Sequence, residues 1–300
     1  MDNRLTPSTL VFLIIPPLMW AGNAVVGRIV SEQIPPFTLN FLRWVLASII
    51  LIPLGRAIFV RGGDLQRHWR QYAVLGFLGI GVYNGIQYLA LHTSTPVNVT
   101  LVACSMPICA LIMGALFFRT PISRRQLAGA LLSIGGVLLV LSHGDVRQLL
   151  GFQFVIGDLY MLIATLIWTV YSWLLVKWSH LSRSAGWAPF LMAQLVYGTV
   201  WSGVLSGIEL GAGSGQIVWS GTLIVALVYV AIGPSLLALR CWSAGVQRVG
   251  PAAAGIFYNL TPLFAAVLSL VLLGEKPQLF HAAAFVLIVG GIVLSSRRST

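Results

Sequence analysis

Ten stretches of almost unbroken apolar sequence fill nearly all of the 300 residues, and the charges fall almost entirely in the short segments between them. A helix needs about 20 apolar residues to cross the hydrocarbon of a bilayer. On that measure the spans read as Leu10 to Val30, Pro36 to Leu54, Tyr72 to His92, Pro96 to Phe118, Leu127 to Leu141, Ile156 to Trp178, Gly186 to Ile208, Val218 to Arg240, Pro251 to Leu273 and Leu279 to Leu294. The runs are continuously apolar and dominated by Leu, Ala and Gly, whereas the strands of a membrane barrel alternate, so a barrel is excluded. With 58% hydrophobic and 8% charged residues, a water-soluble domain would carry more apolar surface than it could hide, but lipid accepts such a surface. The expected fold is an all-α integral membrane bundle of ten transmembrane helices.

A net charge of +11 would suit a nucleic-acid partner if the basic residues were clustered, but they follow topology instead. With the N-terminus cytoplasmic, the cytoplasmic segments hold every Lys and Arg except Arg28, Arg147 and Lys276, on the opposite side, and Arg43, inside the second span. The rule that cytoplasmic loops are basic therefore places both termini in the cytoplasm, and no nucleic acid is expected as a partner. No small-residue cleavage site follows the first apolar run, which is expected to remain as an anchor. Cys104, Cys109 and Cys241 fall within or at the edge of spans, as small packing residues do, and no metal site or cofactor is expected. No appended soluble domain is expected, so any chemistry is expected among the helices.

An offset of 155 residues lays Pro96 over Pro251, Pro107 over Pro262 and Gly135-Gly136 over Gly290-Gly291. At a slightly smaller offset Trp20 lies over Trp168. The chain thus reads as two copies of a five-span unit, residues 1–148 and 149–300. A unit with an odd number of spans enters its second copy from the other side of the membrane, which gives inverted repeats around a central cavity and the geometry of alternating access.

Polar and aromatic side chains at bilayer depth are costly unless they face a cavity or one another, so they mark the pathway. Trp20 and Asn23 share one face of the first span with Gly27, and Tyr83, Asn84, Gln87 and Tyr88 form a stripe on the third. The sixth span offers Trp168, Tyr171 and Ser172; the eighth, Tyr229, Ser235 and Ser243; the ninth, Tyr258 and Asn259. A cavity lined by spans one, three, four, six, eight and nine is expected. The fifth and tenth spans, nearly all Leu, Val, Ile, Ala and Gly, read as peripheral packing helices. Trp69, Trp178 and Trp187, at span ends, fit an interfacial belt.

Pro107 and Pro262 each free a carbonyl one turn earlier, near Ala103 and Tyr258; they serve as hinges or leave an acceptor for an ammonium group. Arg43 has two readings. It snorkels to the interface, or it takes part in a gate, holding a substrate carboxylate or pairing with Asp158 or Glu32. No Asp or Glu sits near the middle of a span, which disfavours a dedicated cation carrier and a carboxylate proton relay. Aromatic rings beside Asn, Ser and Tyr suit a solute with an apolar body and a polar head, such as an aromatic amino acid. Proton antiport and facilitated diffusion both stay open, as does the oligomeric state. An integral membrane enzyme would need a cluster of His, Asp or Glu at one interface, and none stands out, so no catalytic residue is assigned.

Three segments carry a family likeness: Pro17-Leu-Met-Trp-Ala-Gly-Asn23 with Gly27-Arg28, Pro35-Pro36-Phe-Thr-Leu-Asn-Phe-Leu-Arg43-Trp44, and Leu272-Leu-Gly-Glu-Lys-Pro277 followed by Gly290-Gly291. The chain resembles the EamA family of the drug/metabolite transporter superfamily over almost its whole length, and within it the exporters of aromatic amino acids. The resemblance implies ten helices in two inverted repeats and export of a small molecule through a bacterial inner membrane. Multidrug or other metabolite export is the alternative in the same superfamily. The first half has Phe118-Arg119-Thr120-Pro121 where the second has Gly-Glu-Lys-Pro, so Glu275 has no counterpart by symmetry.

Overall fold

The computed structural model describes residues 6–60, 64–94, 96–142, 144, 145, 147, 154–213, 216–273 and 278–296. Glu275 and Lys276 with their motif, and Arg4, Arg61, His143, Arg297 and Arg298, lie outside the described residues. Every regular element among the described residues is helical. We number the long helices α1 (Pro7–Ile29), α2 (Pro36–Gly55), α3 (Trp69–Gly76, Phe77–Val82 and Tyr83–Thr93), α4 (Pro96–Ala103 and Met106–Phe117), α5 (Arg124–Leu141), α6 (Ile156–Lys177), α7 (Trp187–Gly211), α8 (Gly221–Val230, Ala231–Leu237 and Ala238–Val249), α9 (Pro251–Tyr258 and Leu260–Leu273) and α10 (Leu279–Ser296). Nine of these are long and apolar enough to cross a membrane among the described residues; α10 is a shorter apolar helix. Large apolar side chains such as Ile49, Leu54, Val204, Ile208, Val225 and Val286 stand exposed along the helices, as a bilayer solvent permits.

The helices pair across the two halves. The glycines of α5 and α10 bring two backbones together: a Cβ on Gly129 would lie 2.5 Å from the Gly291 carbonyl oxygen, and one on Gly136 would lie 2.9 Å from that of Ala284. Small residues permit this approach. Because 129 faces 291 while 136 faces 284, α5 and α10 run antiparallel. Helices α2 and α7 do likewise, with Thr38 against Ser206 and Ser48 against Thr199. The α1–α8 contact is matched by α6–α3, and the α1–α9 contact by α6–α4. Exchanging each helix for the one five places along maps these contacts onto one another.

The irregular turns follow the same offset. Wide π-helical turns interrupt α3 over Phe77–Val82 and α8 over Ala231–Leu237. Breaks at Cys104-Ser105 in α4 and Asn259 in α9 precede Pro107 and Pro262. Such turns release backbone carbonyls, which lipid cannot hydrogen-bond. Side chains take them up instead. Asn40 Nδ2 donates to the carbonyls of Ile80 and Gly81 at 3.1 and 3.2 Å, and Asn40 Oδ1 accepts from Trp44 Nε1 at 2.9 Å. Ser235 Oγ donates at 2.6 Å to the carbonyl of Val230, four residues before Pro234, within the wide turn of α8. Thr261 Oγ1 donates at 2.7 Å to the Tyr258 carbonyl freed by Pro262, so that carbonyl is not the open acceptor expected from the sequence.

Candidate functional site

A cavity of about 300 Å³ opens between the two halves, at the lower end of the roughly 300–1,000 Å³ usual for small-molecule sites. Its inner end is aromatic: Trp20 from α1, Tyr83 from α3 and Tyr258 from α9. The Tyr83 and Tyr258 hydroxyls lie 3.3 Å apart, and the Trp20 and Tyr258 rings are 5.6 Å apart between centroids. Its polar wall is Asn23, Asn84, Gln87 and Tyr88; Thr100, Ala103 and Cys104 of α4 and Pro262 of α9 complete the enclosure. The mouth lies at the α1–α2 turn, with Ser31, Glu32, Ile34 and Pro36. Glu32 is exposed there and, among the described residues, is the only acidic one in the lining.

Arg43, 1% exposed, stands behind the polar wall. Its Nε donates to Ser235 Oγ at 2.9 Å, and its Nη1 donates to Tyr88 Oη at 2.9 Å and to Asn84 Oδ1 at 3.2 Å. Tyr88 Oη donates in turn to Asn23 Oδ1 at 3.1 Å. One guanidinium thus ties α2, α3 and α8 and, through Tyr88, α1. It does not snorkel, and among the described residues it meets no acid: Asp158 accepts from the Ser94 hydroxyl and from the Val155 N–H, joining the start of α6 to the end of α3. The pairing of Arg43 with Asp158 entertained from the sequence is therefore not made, because Asp158 is buried as the N-terminal cap of its own helix.

Trp168 and Trp242 line neither this cavity nor the second one described below, and fill the layer beneath the first. Trp168 is 3% exposed and contacts Trp20, Tyr83, Tyr171 and Trp242 with centroid separations of 5.4, 4.5, 5.0 and 5.7 Å. Trp20 also meets Trp242 at 5.4 Å and donates its Nε1 to the Pro234 carbonyl at 3.3 Å. Ser172 Oγ donates to the Trp168 carbonyl and accepts from Trp242 Nε1. Tyr171 Oη donates to Gln194 Oε1 at 3.0 Å. Asn259 Nδ2 turns away from the cavity to Ser133 Oγ of α5 at 3.1 Å, and Pro107 packs against Gly255. The lining thus draws on α2 rather than on α6 or α8, because the aromatic face of α6 stacks against other rings instead of standing free.

Beyond the aromatic layer a second cavity, about 400 Å³, is lined by Phe12, Tyr171, Gln194, Ser243, Arg183, Arg240 and Arg248 among others. Arg240 lies over the Trp187 ring at 4.0 Å and Arg248 over Phe12 at 4.5 Å. Phe12 is near the start of α1 and Ser31 follows its end, so the two cavities open toward opposite ends of that helix. Sequence reasoning missed Asn40 and Glu209. The first carried a legible signal, an amide one turn before Trp44 within an apolar span. Glu209 did not: its carboxylate crosses from α7 to accept from the Phe37 and Thr38 N–H groups at 3.0 and 2.8 Å and from the Thr38 hydroxyl at 2.9 Å.

A family model for EamA-like transporters matches the chain twice, over residues 7–142 and 155–297. An uncharacterized transporter of Archaeoglobus fulgidus is 26% identical over 298 residues, covering 97% of this chain and 98% of that protein. The uncharacterized inner membrane transporter YedA of Escherichia coli is 26% identical over 284 residues, covering 92% and 87%. A solved crystal structure superposes with a TM-score of 0.76 at 24% identity over 96% of each chain, a likeness of fold alone. The two family matches together span most of the sequence, and the protein belongs to the EamA-like transporter family as a multi-pass membrane transporter.

Proposed function

We propose that this transporter exports aromatic or bulky hydrophobic amino acids and related small metabolites across a bacterial inner membrane by alternating access. The observation that carries the reading is the cavity, with three aromatic rings at one end and amides and hydroxyls on the adjoining wall. Rings accept an apolar body, while the amides fix a polar head. The two halves, 1–148 and 149–300, are read as inverted five-helix repeats. The antiparallel α2–α7 and α5–α10 pairs, the matched α1–α8 and α6–α3 contacts and the paired breaks at Pro107 and Pro262 support that arrangement. The basic ends of the helices support an orientation with both termini and the arginine-lined cavity on the cytoplasmic side. On that orientation the molecule faces outward, and the layer of Trp20, Trp168, Trp242, Tyr83, Tyr171 and Tyr258 closes the cytoplasmic route.

Counterflow of labelled phenylalanine, tyrosine, tryptophan and leucine in proteoliposomes, with and without a pH gradient, tests the proposal. Exchange of an aromatic amino acid that unlabelled analogues inhibit is the expected result, and dependence on the gradient separates antiport from facilitated diffusion. Exchange of cationic dyes with none of the amino acids would instead identify a multidrug carrier and overturn the reading.

A further inference from the structure

The polar wall of the cavity has a polarity that its residue types alone do not reveal. A guanidinium has donors and no acceptor, and it stays charged when buried. Asn84 must therefore turn its Oδ1 toward Arg43, and Tyr88, already accepting from Arg43, must send its own proton elsewhere. It sends it to Asn23 Oδ1. Both asparagines line the cavity, both spend their acceptor ends on the wall, and both are left presenting amide N–H donors to the interior. Among the described residues the single ion pair is His68 with Asp64, so no carboxylate of those residues neutralises Arg43. Asp158 and Glu209 are engaged at helix N-termini, and Glu32 stands exposed at the mouth.

We propose that Arg43 is the positioning residue that makes this wall a carboxylate subsite: it orients Asn23 and Asn84 as donors, and the substrate's carboxylate supplies the missing counter-charge. The inference rests on the transport reading above and names the end of the solute that the wall reads. An amine in place of the carboxylate would bring a donor to donors beside a buried cation, and an amide would offer one neutral acceptor oxygen without the counter-charge, so both are disfavoured against the carboxylate. A purely structural role for Arg43, as a tie between α2, α3 and α8, predicts no such preference.

The test compares thermal stabilisation of the purified full-length protein by two series: phenylalanine, phenylpropionate and phenylalaninamide, then leucine, isocaproate and leucinamide. The carboxylates should stabilise the wild-type chain at concentrations about 10- to 100-fold lower than the amides, as charge-assisted hydrogen bonds imply. In Asn84→Asp the new carboxylate lies beside Arg43, neutralises it and removes a donor, so the preference should shrink to within about twofold while the unliganded protein stays folded. Arg43→Gln should lose the preference as well, and Arg43→Lys should retain part of it. If Arg43→Gln does not fold, Asn84→Asp decides. Equal binding of acids and amides by the wild type, a preference that survives Asn84→Asp, or failure of every carboxylate to bind would overturn the inference. Acid preference in the leucine series without binding of the aromatic series would overturn the aromatic part of the proposed substrate and leave this subsite standing.

Discussion

Replacing Trp20 by alanine should open the aromatic layer toward the face that bears Arg183, Arg240 and Arg248. The indole touches Trp168, Trp242 and Tyr258 at centroid separations of 5.4, 5.4 and 5.6 Å and donates to the Pro234 carbonyl at 3.3 Å. Aromatic contacts contribute about 0.5–1.5 kcal/mol each and the hydrogen bond about 1 kcal/mol. Within a membrane part of this is recovered, because the alternative state also finds partners. A net bias of about 2 kcal/mol is left, which multiplies the population open to that face about 30-fold. The assay places a single cysteine at Thr100, in the cavity wall, with Cys104, Cys109 and Cys241 changed to Ser. An impermeant maleimide is then applied from the arginine-bearing face. Its labelling rate tracks the rare opening, so it should rise about 30-fold in Trp20→Ala and only a few-fold in Trp20→Phe, which keeps a ring and loses the N–H. An unchanged rate in Trp20→Ala would refute the assignment of this layer as the closure.

Helix packing and capping offer three further tests. Gly129→Ala should lower the thermal midpoint by the equivalent of about 1–3 kcal/mol, the cost of overpacking, since its Cβ would meet the Gly291 carbonyl at 2.5 Å; Gly135→Ala, with nothing within 4 Å of its Cβ, should be neutral or gain up to about 1 kcal/mol of helix propensity. Equal effects of the two would contradict the α5–α10 interface. Glu209→Gln should cost about 0.3–1 kcal/mol by removing a half-buried charge from the α2 N-terminus, read as a lower unfolding midpoint that high salt does not restore; an unchanged midpoint would show that the cap contributes nothing. Trp168→Phe should cost about 1–2 kcal/mol, the packing of the lost ring alone, because the Trp168 N–H is buried without a partner among the described residues; a loss well beyond that would place a bonding partner for it in the native protein.

Much of the site was legible because lipid is an intolerant solvent. Asn23, Asn84 and Tyr88 had to face the interior, and helical spacing put each on one face of its span. The distinction between Trp20 and Trp168 was not legible. Both are central tryptophans at related positions of the repeat, yet one lines the cavity and the other lies beneath it, since which side of a stacked layer a ring meets depends on packing across the two halves. Asn259 shows the same limit: its depth was evident, but its partner Ser133 lies 126 residues away. The depth of Arg43 could be read from its span, whereas its neutral partners come from two other helices and could not.

The polar wall and the irregular helices have a common cause. Pro234 has no N–H to offer the Val230 carbonyl, and in lipid that acceptor must find a donor inside the protein. Ser235 provides it, at 2.6 Å. Having given its proton to the backbone, the Ser235 oxygen is left an acceptor, which is what the Arg43 Nε requires at 2.9 Å. With Nε held there, Nη1 reaches Tyr88 and Asn84; Tyr88 passes its own proton to Asn23, and the N–H groups of Asn84 and Asn23 are directed into the cavity. A missing backbone proton in α8 thus sets, through four side chains, the donor character of a wall built largely by α1 and α3. Pro234→Ala would return the Val230 carbonyl to the helix and free the Ser235 proton to point at Arg43, so its effect should be lost orientation of Asn84 and Asn23 rather than lost helix, with weaker substrate binding and an unfolding midpoint close to that of the wild type.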